Sequence, residues 1–169
     1  MKEYIDEKKI KERVEILGES ITKEYKNQND LTIICVLKGS FIFLADLVRE
    51  IKLDLLIEFI DISSYDGMSR GELKLNKDIN FNVKNKNILI VEDIVDSGNT
   101  INFIFEYINK EKPKSVKIAT LFFKPEAYNF NMKIDWIGFN ISNEFIVGYG
   151  LDHNEIHRNK KSIYILEDE

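Results

Sequence analysis

The chain has 169 residues, of which 44% are hydrophobic and 31% are charged, and its formal net charge is −5. This length allows one domain with a sizeable core, and the acidic balance argues against a general nucleic-acid surface. No apolar run approaches the roughly 20 residues of a membrane span, and the N-terminus lacks the apolar core of a signal peptide. The single cysteine, Cys35, lies inside an apolar run, so we expect no disulfide framework and a cytoplasmic protein.

Apolar residues at helical or strand spacing predict elements that alternate along the chain. Helices are predicted over residues 7–26, 41–51 and 99–110. Strands are predicted at 31–37, 53–62, 78–83, 88–92, 115–123, 134–139, 144–147 and 162–166. A polar, glycine-containing segment at 63–77 is predicted to be a mobile loop. Strands that alternate with helices indicate an α/β fold with a parallel, twisted sheet flanked by helices on both faces.

The stretch 88–100 carries the strongest functional signal in the chain. Its four apolar residues at 88–91 are typical of a strand buried on both faces, and two adjacent carboxylates, Glu92 and Asp93, follow. Next comes a turn of small and polar residues that leads into the predicted helix: Asp96-Ser97-Gly98-Asn99-Thr100. Open α/β sheets bind ligands at such strand-to-helix turns.

The chemistry of this turn indicates a phosphate site. N–H groups at a helix start bind anions, and the hydroxyls of Ser97 and Thr100 add hydrogen bonds. Gly98 tolerates a positive φ and lets a ligand approach the backbone. The acidic pair upstream can hold ribose hydroxyls, a divalent cation or both. A phosphate cup beside two carboxylates therefore indicates a phosphorylated sugar bound with Mg²⁺.

Residues 88–100 resemble the 5-phosphoribosyl-1-pyrophosphate (PRPP) motif of type I phosphoribosyltransferases. In that motif a hydrophobic strand leads to two acids and then to an Asp-Ser/Thr-Gly-x-Thr loop, which this sequence matches throughout. The resemblance implies that Glu92 and Asp93 hold the ribose hydroxyls, partly through Mg²⁺, and that Asp96 is the catalytic base, which takes a proton from N7 of a purine. The PRPP-binding loop is then Asp96, Ser97, Gly98, Asn99 and Thr100.

Four further segments resemble those of the hypoxanthine–guanine phosphoribosyltransferases in order and spacing, over residues from about 8 to 168. The first is the turn after the strand at 31–37, where the resemblance implies that Lys38 and Gly39 bind pyrophosphate, often through a cis peptide bond before the lysine. The second is the pair Ser64 and Tyr65. It would lie on a long loop that closes over the site and excludes water from an oxocarbenium-like transition state.

The third segment is Lys124, at the end of the predicted strand 115–123. Its aliphatic stem can lie along a purine ring while its ammonium donates a hydrogen bond to an exocyclic oxygen. The ammonium group can only donate hydrogen bonds, so it cannot pair with the 6-amino group of adenine, which is also a donor. Lys124 therefore favours hypoxanthine or guanine over adenine.

The fourth segment spans residues 144–158. By resemblance, Phe145 stacks on the purine, and backbone groups near Ile146 and Val147 bind the edge of the base. Asp152 belongs to the same purine site and serves a second Mg²⁺, so that the implied metal ligands are Glu92, Asp93 and Asp152. The resemblance places Arg158 against pyrophosphate. Gly148 and Gly150 indicate tight backbone near the ligand.

The resemblance implies the type I phosphoribosyltransferase fold as a single domain over residues 1–169, with a small hood lobe built from the chain ends. It implies a purine-salvage enzyme that depends on Mg²⁺ and transfers the 5-phosphoribosyl group from PRPP to hypoxanthine or guanine. The products would be IMP or GMP and pyrophosphate. The expected partners are PRPP, hypoxanthine and guanine, in a homodimer or homotetramer, with no nucleic acid and no membrane.

Several alternatives stay open at this point. Xanthine also carries a 6-oxo group, whereas Lys124 and the segment 145–152 argue against adenine or orotate as the base. A nucleic-acid-binding regulator that uses the PRPP loop as a sensor needs a basic surface, which the acidic composition does not favour. His153 and His157 have the spacing of zinc ligands on a helix, but no glutamate follows His153 and no cysteine cluster accompanies them. The family usually has aromatic residues at these two positions.

Overall fold

The computed structural model describes residues 1–28, 30–64 and 73–166, with the backbone alone at Ser64. Their elements are β1 (Lys2–Ile5), α1 (Glu7–Tyr25), β2 (Leu31–Leu37), α2 (Phe41–Glu50), β3 (Leu56–Ser64), β4 (Leu73–Lys77), β5 (Asn87–Val95), α3 (Asn99–Asn109), β6 (Ser115–Phe123), β7 (Trp136–Asn140), β8 (Ile146–Val147) and β9 (Ile163–Ile165). They form two sheets, in the orders β4-β3-β2-β5-β6-β7 and β1-β9-β8.

In the larger sheet the five neighbouring strands β3, β2, β5, β6 and β7 are parallel. Only β4 is antiparallel, and it pairs with β3 at one edge. Its central strands are apolar along nearly their whole length because helices cover both faces. On one face, α1 and α2 pack on the sheet through side chains such as Val14 and Phe43. On the other face, α3 packs through Ile101 and Ile104. The predicted parallel sheet with helices on both faces is therefore confirmed.

Two predicted boundaries in the larger sheet are wrong. β5 continues through the acidic pair to Val95, which pairs with Phe123 of β6, so the carboxylates lie within the strand and not after it. The backbone ladder with β6 continues regardless of these polar side chains. The strand predicted at 78–83 does not form, and β4 lies instead at Leu73–Lys77, within the segment predicted to be a loop.

The position of β4 has a clear physical reason. Leucines at 73 and 75 alternate with polar residues at 74 and 76, which is the pattern of an edge strand with one face on the core. Leu75 packs against the cluster of buried residues beneath α3. Mobility of the segment between β3 and β4 stays a prediction.

The smaller sheet joins the two ends of the chain. β1 and β8 both pair antiparallel with β9, and Ile5 and Ile163 belong to the same buried cluster as α1 and α2. Asp6 ends β1 and caps α1, since its side chain accepts a hydrogen bond of 2.9 Å from the N–H of Lys9. That this sheet forms a hood over the site stays a prediction. Among the described helices, none has the length and apolar composition needed to cross a membrane.

Candidate active site

The predicted site residues that follow β2, β5 and β6 gather at one edge of the larger sheet. The carboxyl ends of β2, β5 and β6 meet there because these strands are parallel neighbours. Each strand contributes one feature: the Lys38–Gly39 turn follows β2, the acidic pair and the PRPP loop belong to β5 and its turn, and Lys124 follows β6. This edge is where open α/β sheets bind their ligands.

The acidic pair of β5 is almost completely buried, with Glu92 8% and Asp93 7% exposed. Burial raises the pKa of both carboxyls, and the charge of Asp93 raises the pKa of Glu92 further. Oε2 of Glu92 has no hydrogen-bond partner among the described residues. A carboxylate oxygen that is buried and unpartnered in the free protein is suited to receive a ligand.

This pair fits a divalent cation. No group of three acidic, histidine or cysteine side chains forms a ready-made metal site within residues 1–28, 30–64 and 73–166. Mg²⁺ is commonly held by one or two carboxylates, with substrate oxygens and waters completing its shell. The unpartnered oxygen of Glu92 supplies one such ligand, with Asp93 beside it. His153 and His157 do not have the helical spacing of zinc ligands, since the chain turns at 153–156 and forms no helix there.

The burial of Glu92 leads to a stability prediction. A carboxyl whose pKa is raised in the folded state costs stability once the pH lies above its unfolded pKa, because ionisation then favours unfolding. We expect Glu92→Gln to raise the Tm of the ligand-free protein at pH 8 by about 2–4 °C, which corresponds to ~1 kcal/mol for a domain of this size. The gain should shrink as the pH falls, because the wild-type carboxyl then becomes protonated.

Differential scanning calorimetry of both proteins between pH 5 and pH 8 measures this effect. Glu111→Gln is a matched control, since Glu111 is exposed after α3 and lies at the opposite edge of the sheet. A Tm for Glu92→Gln below that of the wild type at pH 8 would contradict the conclusion that the buried, ionised Glu92 destabilises the ligand-free protein.

The loop after β5 forms the predicted phosphate cup. Gly98 has a φ of 89°, and a side chain there would overlap the rings of Tyr128 and Phe130. α3 begins at Asn99 and has no side-chain cap in the described part, which leaves N–H groups of its first turn free for an anion. A cavity of about 90 Å³ lies within this loop and borders Glu92.

Gly39 brings the turn after β2 against the acidic pair. A side chain at this position would overlap Oδ2 of Asp93, so only glycine allows the contact. The Leu37–Lys38 peptide bond is cis, as the resemblance implies. The two predicted subsites for pyrophosphate and ribose are therefore in direct contact.

Gly39→Ala tests this contact. The added methyl group must displace either the turn or the Asp93 carboxylate, and misplacement of a catalytic group by ~1 Å can cost about 100-fold. We expect kcat/KM for PRPP to fall by about 10- to 100-fold. Steady-state kinetics with circular dichroism to verify folding measures the effect, and a folded variant with unchanged kcat/KM would show that the contact is dispensable.

Lys124 and Asp96 form an ion pair that joins two predicted roles. Nζ of Lys124 lies 3.1 Å from Oδ2 of Asp96. Lys124 is 7% exposed, and its N–H donates a hydrogen bond to the carbonyl of Val95 at the end of β5. The side chain of Asp96 is 54% exposed and open to a ligand. Asp96, the predicted proton acceptor, and Lys124, the predicted hydrogen-bond donor to the 6-oxo group, are therefore adjacent.

Phe145 directly precedes β8, and Ile146 begins this strand of the smaller sheet. Phe145 is 54% exposed, and its ring and the ring of His153 pack edge-to-face with their centroids 5.5 Å apart. The carbonyl of Phe145 accepts a hydrogen bond from Leu166 next to β9. Because backbone groups alternate along an antiparallel pair, those of Ile146 point to the open edge and those of Val147 point toward β9. Of the two predicted residues, Ile146 therefore has the backbone groups available to a base.

The turn after β8 carries the remaining charged residues. Asp152 accepts hydrogen bonds from the N–H of Glu155 at 2.9 Å, and its other oxygen lies 2.9 Å from Nη2 of Arg158. Nη1 of Arg158 also donates a hydrogen bond to the carbonyl of Gly150. Lys38, from the turn after β2, contacts both carboxylate oxygens of Glu155 at 3.3 Å. Glu155 also lies 3.4 Å from Nη2 of Arg158. It therefore links Lys38 and Arg158, the two side chains predicted to bind pyrophosphate.

Three features of this turn differ from the expectation or were not foreseen. Gly148 and Gly150 have φ near 103° and 102°, but the space they leave is filled by the carbonyls of Ser162 and Gly39, so they serve chain packing and not ligand approach. Glu155 lies 117 residues from Lys38, and no local signal could have predicted their pairing. Tyr149, whose hydroxyl donates to Asp46 of α2, was likewise not foreseen.

The two residues predicted to close over the site lie at the limit of the described part of the chain. Ser64 ends β3, where its backbone pairs with Leu73 of β4, and nothing is described of its side chain. Tyr65 lies outside the described residues.

A separate cavity of about 500 Å³ lies between α1 and α2 and contains none of the predicted site residues.

Comparison with known proteins decides the family. The chain matches the phosphoribosyl transferase domain over residues 1–154. It is 47% identical over 161 residues to the hypoxanthine phosphoribosyltransferase of Buchnera aphidicola, covering 94% of this chain and 91% of that protein. The chain belongs to the hypoxanthine–guanine phosphoribosyltransferase family. It is therefore a phosphoribosyl-transferring enzyme of purine salvage.

Solved structures of the hypoxanthine–guanine phosphoribosyltransferase family show the same fold. The enzyme of Bacillus anthracis superposes with a TM-score of 0.94 at 41% identity, covering 99% of both chains. The hypoxanthine phosphoribosyltransferase of Trypanosoma cruzi, in complex with the product IMP, superposes with a TM-score of 0.92 at 34% identity and covers 98% of this chain and 94% of that chain. The predicted type I phosphoribosyltransferase fold is confirmed.

Proposed function

We propose that this protein transfers the 5-phosphoribosyl group of PRPP to N9 of hypoxanthine or guanine, and that the products are IMP or GMP and pyrophosphate. The observation that carries the proposal is the Lys124–Asp96 pair, 3.1 Å apart, directly before the phosphate cup. One member donates to a 6-oxo group, and the other accepts a proton from a purine nitrogen. The IMP bound by the Trypanosoma cruzi relative supports a 6-oxopurine product.

Each side chain has a distinct part in the proposed reaction. Residues 97–100 bind the 5′-phosphate, and this remote binding energy orients C1 of the ribose. Asp96 takes the proton from N7 as positive charge develops on the purine, since a carboxylate is too weak a base for the neutral ring. Lys124 donates to the 6-oxo group, Phe145 stacks on the base, and the open backbone groups of Ile146 bind the edge of the base.

The acidic residues serve the sugar and the leaving group. Glu92 and Asp93 bind the ribose hydroxyls at the buried end of the site. We propose that Glu92 and Asp93 hold one Mg²⁺ and that Asp152 serves a second, each together with substrate oxygens. These cations would neutralise the charge that develops on pyrophosphate. Lys38, Gly39 and Arg158 bind the same group.

The proposal extends to the surroundings of the site. The smaller sheet forms a hood, and the segment that begins at Ser64 and Tyr65 closes over the bound substrates to exclude water. We expect a homodimer or homotetramer with two-fold symmetry. The single thiol, Cys35, is buried and free, which agrees with the proposed cytoplasmic location.

Steady-state turnover of PRPP with hypoxanthine, guanine and xanthine, each with Mg²⁺ and with a chelator, tests the proposal by ultraviolet absorbance. We expect IMP and GMP formation that stops when the chelator is added and returns with excess Mg²⁺. Faster formation of XMP would assign xanthine as the base. Failure to convert any base, with PRPP still bound, would favour a sensor and would contradict the proposed function.

A further inference from the structure

Glu155 occupies the position between the two cations that the proposed function assigns to pyrophosphate. Its two carboxylate oxygens each lie 3.3 Å from Nζ of Lys38, and Oε2 lies 3.4 Å from Nη2 of Arg158. A carboxylate in this position makes the contacts that an oxygen pair of a diphosphate would make. None of the roles given above to the site residues uses Glu155.

We infer that Glu155 competes with the diphosphate of PRPP, and with pyrophosphate, for Lys38 and Arg158, and so limits the affinity of the site for both ligands. The inference rests on the proposed function, because it takes Lys38 and Arg158 as the diphosphate cations. A bound diphosphate needs the same donors, so Glu155 must leave them when the substrate binds. The competition weakens PRPP binding and speeds the release of pyrophosphate by the same free energy.

The exposure of the pair makes this exchange feasible. The side chains of Lys38 and Glu155 are 63% and 67% exposed, so solvent can replace their contact at little cost. Arg158 is different, since it keeps Asp152 and the carbonyl of Gly150 as partners when Glu155 leaves. Arg158 therefore keeps its position when it exchanges Glu155 for the diphosphate, whereas Lys38 gives up the carboxylate that holds it.

The backbone at Glu155 accommodates substitutions that change its charge or length alone. Glu155 has a φ of 63°, and its N–H donates to Asp152. Glutamine has the same length and the same backbone demands, and aspartate tolerates this left-handed conformation better than most residues. Glu155→Gln removes the charge at constant size. Glu155→Asp keeps the charge but draws it one methylene away from Lys38 and Arg158.

The test measures the Kd of PRPP by isothermal titration calorimetry and the inhibition constant of pyrophosphate by kinetics, in wild type and both variants. Since exposed ion pairs contribute modestly, we expect Glu155→Gln to lower both constants by about two- to fivefold. The KM for hypoxanthine should stay unchanged. Glu155→Asp should shift both constants in the same direction, because competition requires contact, and the Glu111→Gln control should match the wild type.

Two results would overturn the inference. Unchanged or weaker PRPP binding in Glu155→Gln would show that Glu155 aligns the cations and does not compete for them. Wild-type constants in Glu155→Asp, with tighter binding in Glu155→Gln, would show that net charge acts without contact. A wild-type protein that neither binds PRPP nor forms a nucleotide would instead overturn the proposed function, so the two failures are distinguishable.

Discussion

Asp96→Asn is expected to lower kcat for IMP formation by about 100-fold or more, while the protein still binds PRPP. Asparagine has the same shape and keeps an oxygen for Nζ of Lys124, which lies 3.1 Å from the present carboxylate. It cannot take up a proton, and general base catalysis contributes typically 10²- to 10⁴-fold. Because the Asp96 side chain is exposed, the substitution should not disturb folding.

Rapid-quench kinetics of IMP formation, together with calorimetric titration of PRPP, separates the chemical step from binding. Asp54→Asn is the matched control, since Asp54 precedes β3 at the opposite edge of the sheet and should leave kcat unchanged. Wild-type turnover by Asp96→Asn would refute the assignment of the base.

Lys124→Met is expected to lower kcat/KM for hypoxanthine by roughly 10- to 100-fold. Methionine keeps most of the apolar stem in a position that is 7% exposed, but it removes the ammonium that donates to the 6-oxo group. Hydrogen bonds to charged groups contribute about 1.5–3 kcal/mol, which converts to a loss of this size. The ratio of hypoxanthine to adenine use should fall with it.

Competition experiments with both bases in one mixture measure this ratio. Lys124→Arg is an informative partner variant, because it keeps the charge but replaces a point donor with a planar fork. We expect its activity to lie between those of the wild type and Lys124→Met. Unchanged discrimination against adenine in Lys124→Met would show that another group reads the 6-oxo position.

The continuous apolar strands were the part of the fold most open to prediction. β2 and β6 form at the predicted residues because strands buried on both faces consist of apolar runs with sharp ends. The end of β5 was predicted too early, since Glu92 and Asp93 are buried carboxylates and hydropathy alone reads them as an exposed turn. β4 was missed because its leucines are interleaved with polar residues in a segment interpreted as a loop.

The motif predicted which residues form the candidate site better than how those residues contact one another. The Lys124–Asp96 pair spans 28 residues and depends on β5 and β6 being neighbours in register, which no local pattern reveals. The contact of Gly39 with Asp93 depends in the same way on the pairing of β2 with β5. Glu155 has no distinguishing pattern in the sequence, and its position between Lys38 and Arg158 depends on the folded turn after β8.

Transfer to a 6-oxopurine can be measured when equimolar hypoxanthine and adenine are offered together with limiting PRPP and Mg²⁺, and the nucleotides and pyrophosphate are quantified by chromatography. We expect IMP and pyrophosphate to form in equal amounts, with little AMP. Predominant AMP, or consumption of PRPP without any nucleotide, would contradict phosphoribosyl transfer to a 6-oxopurine.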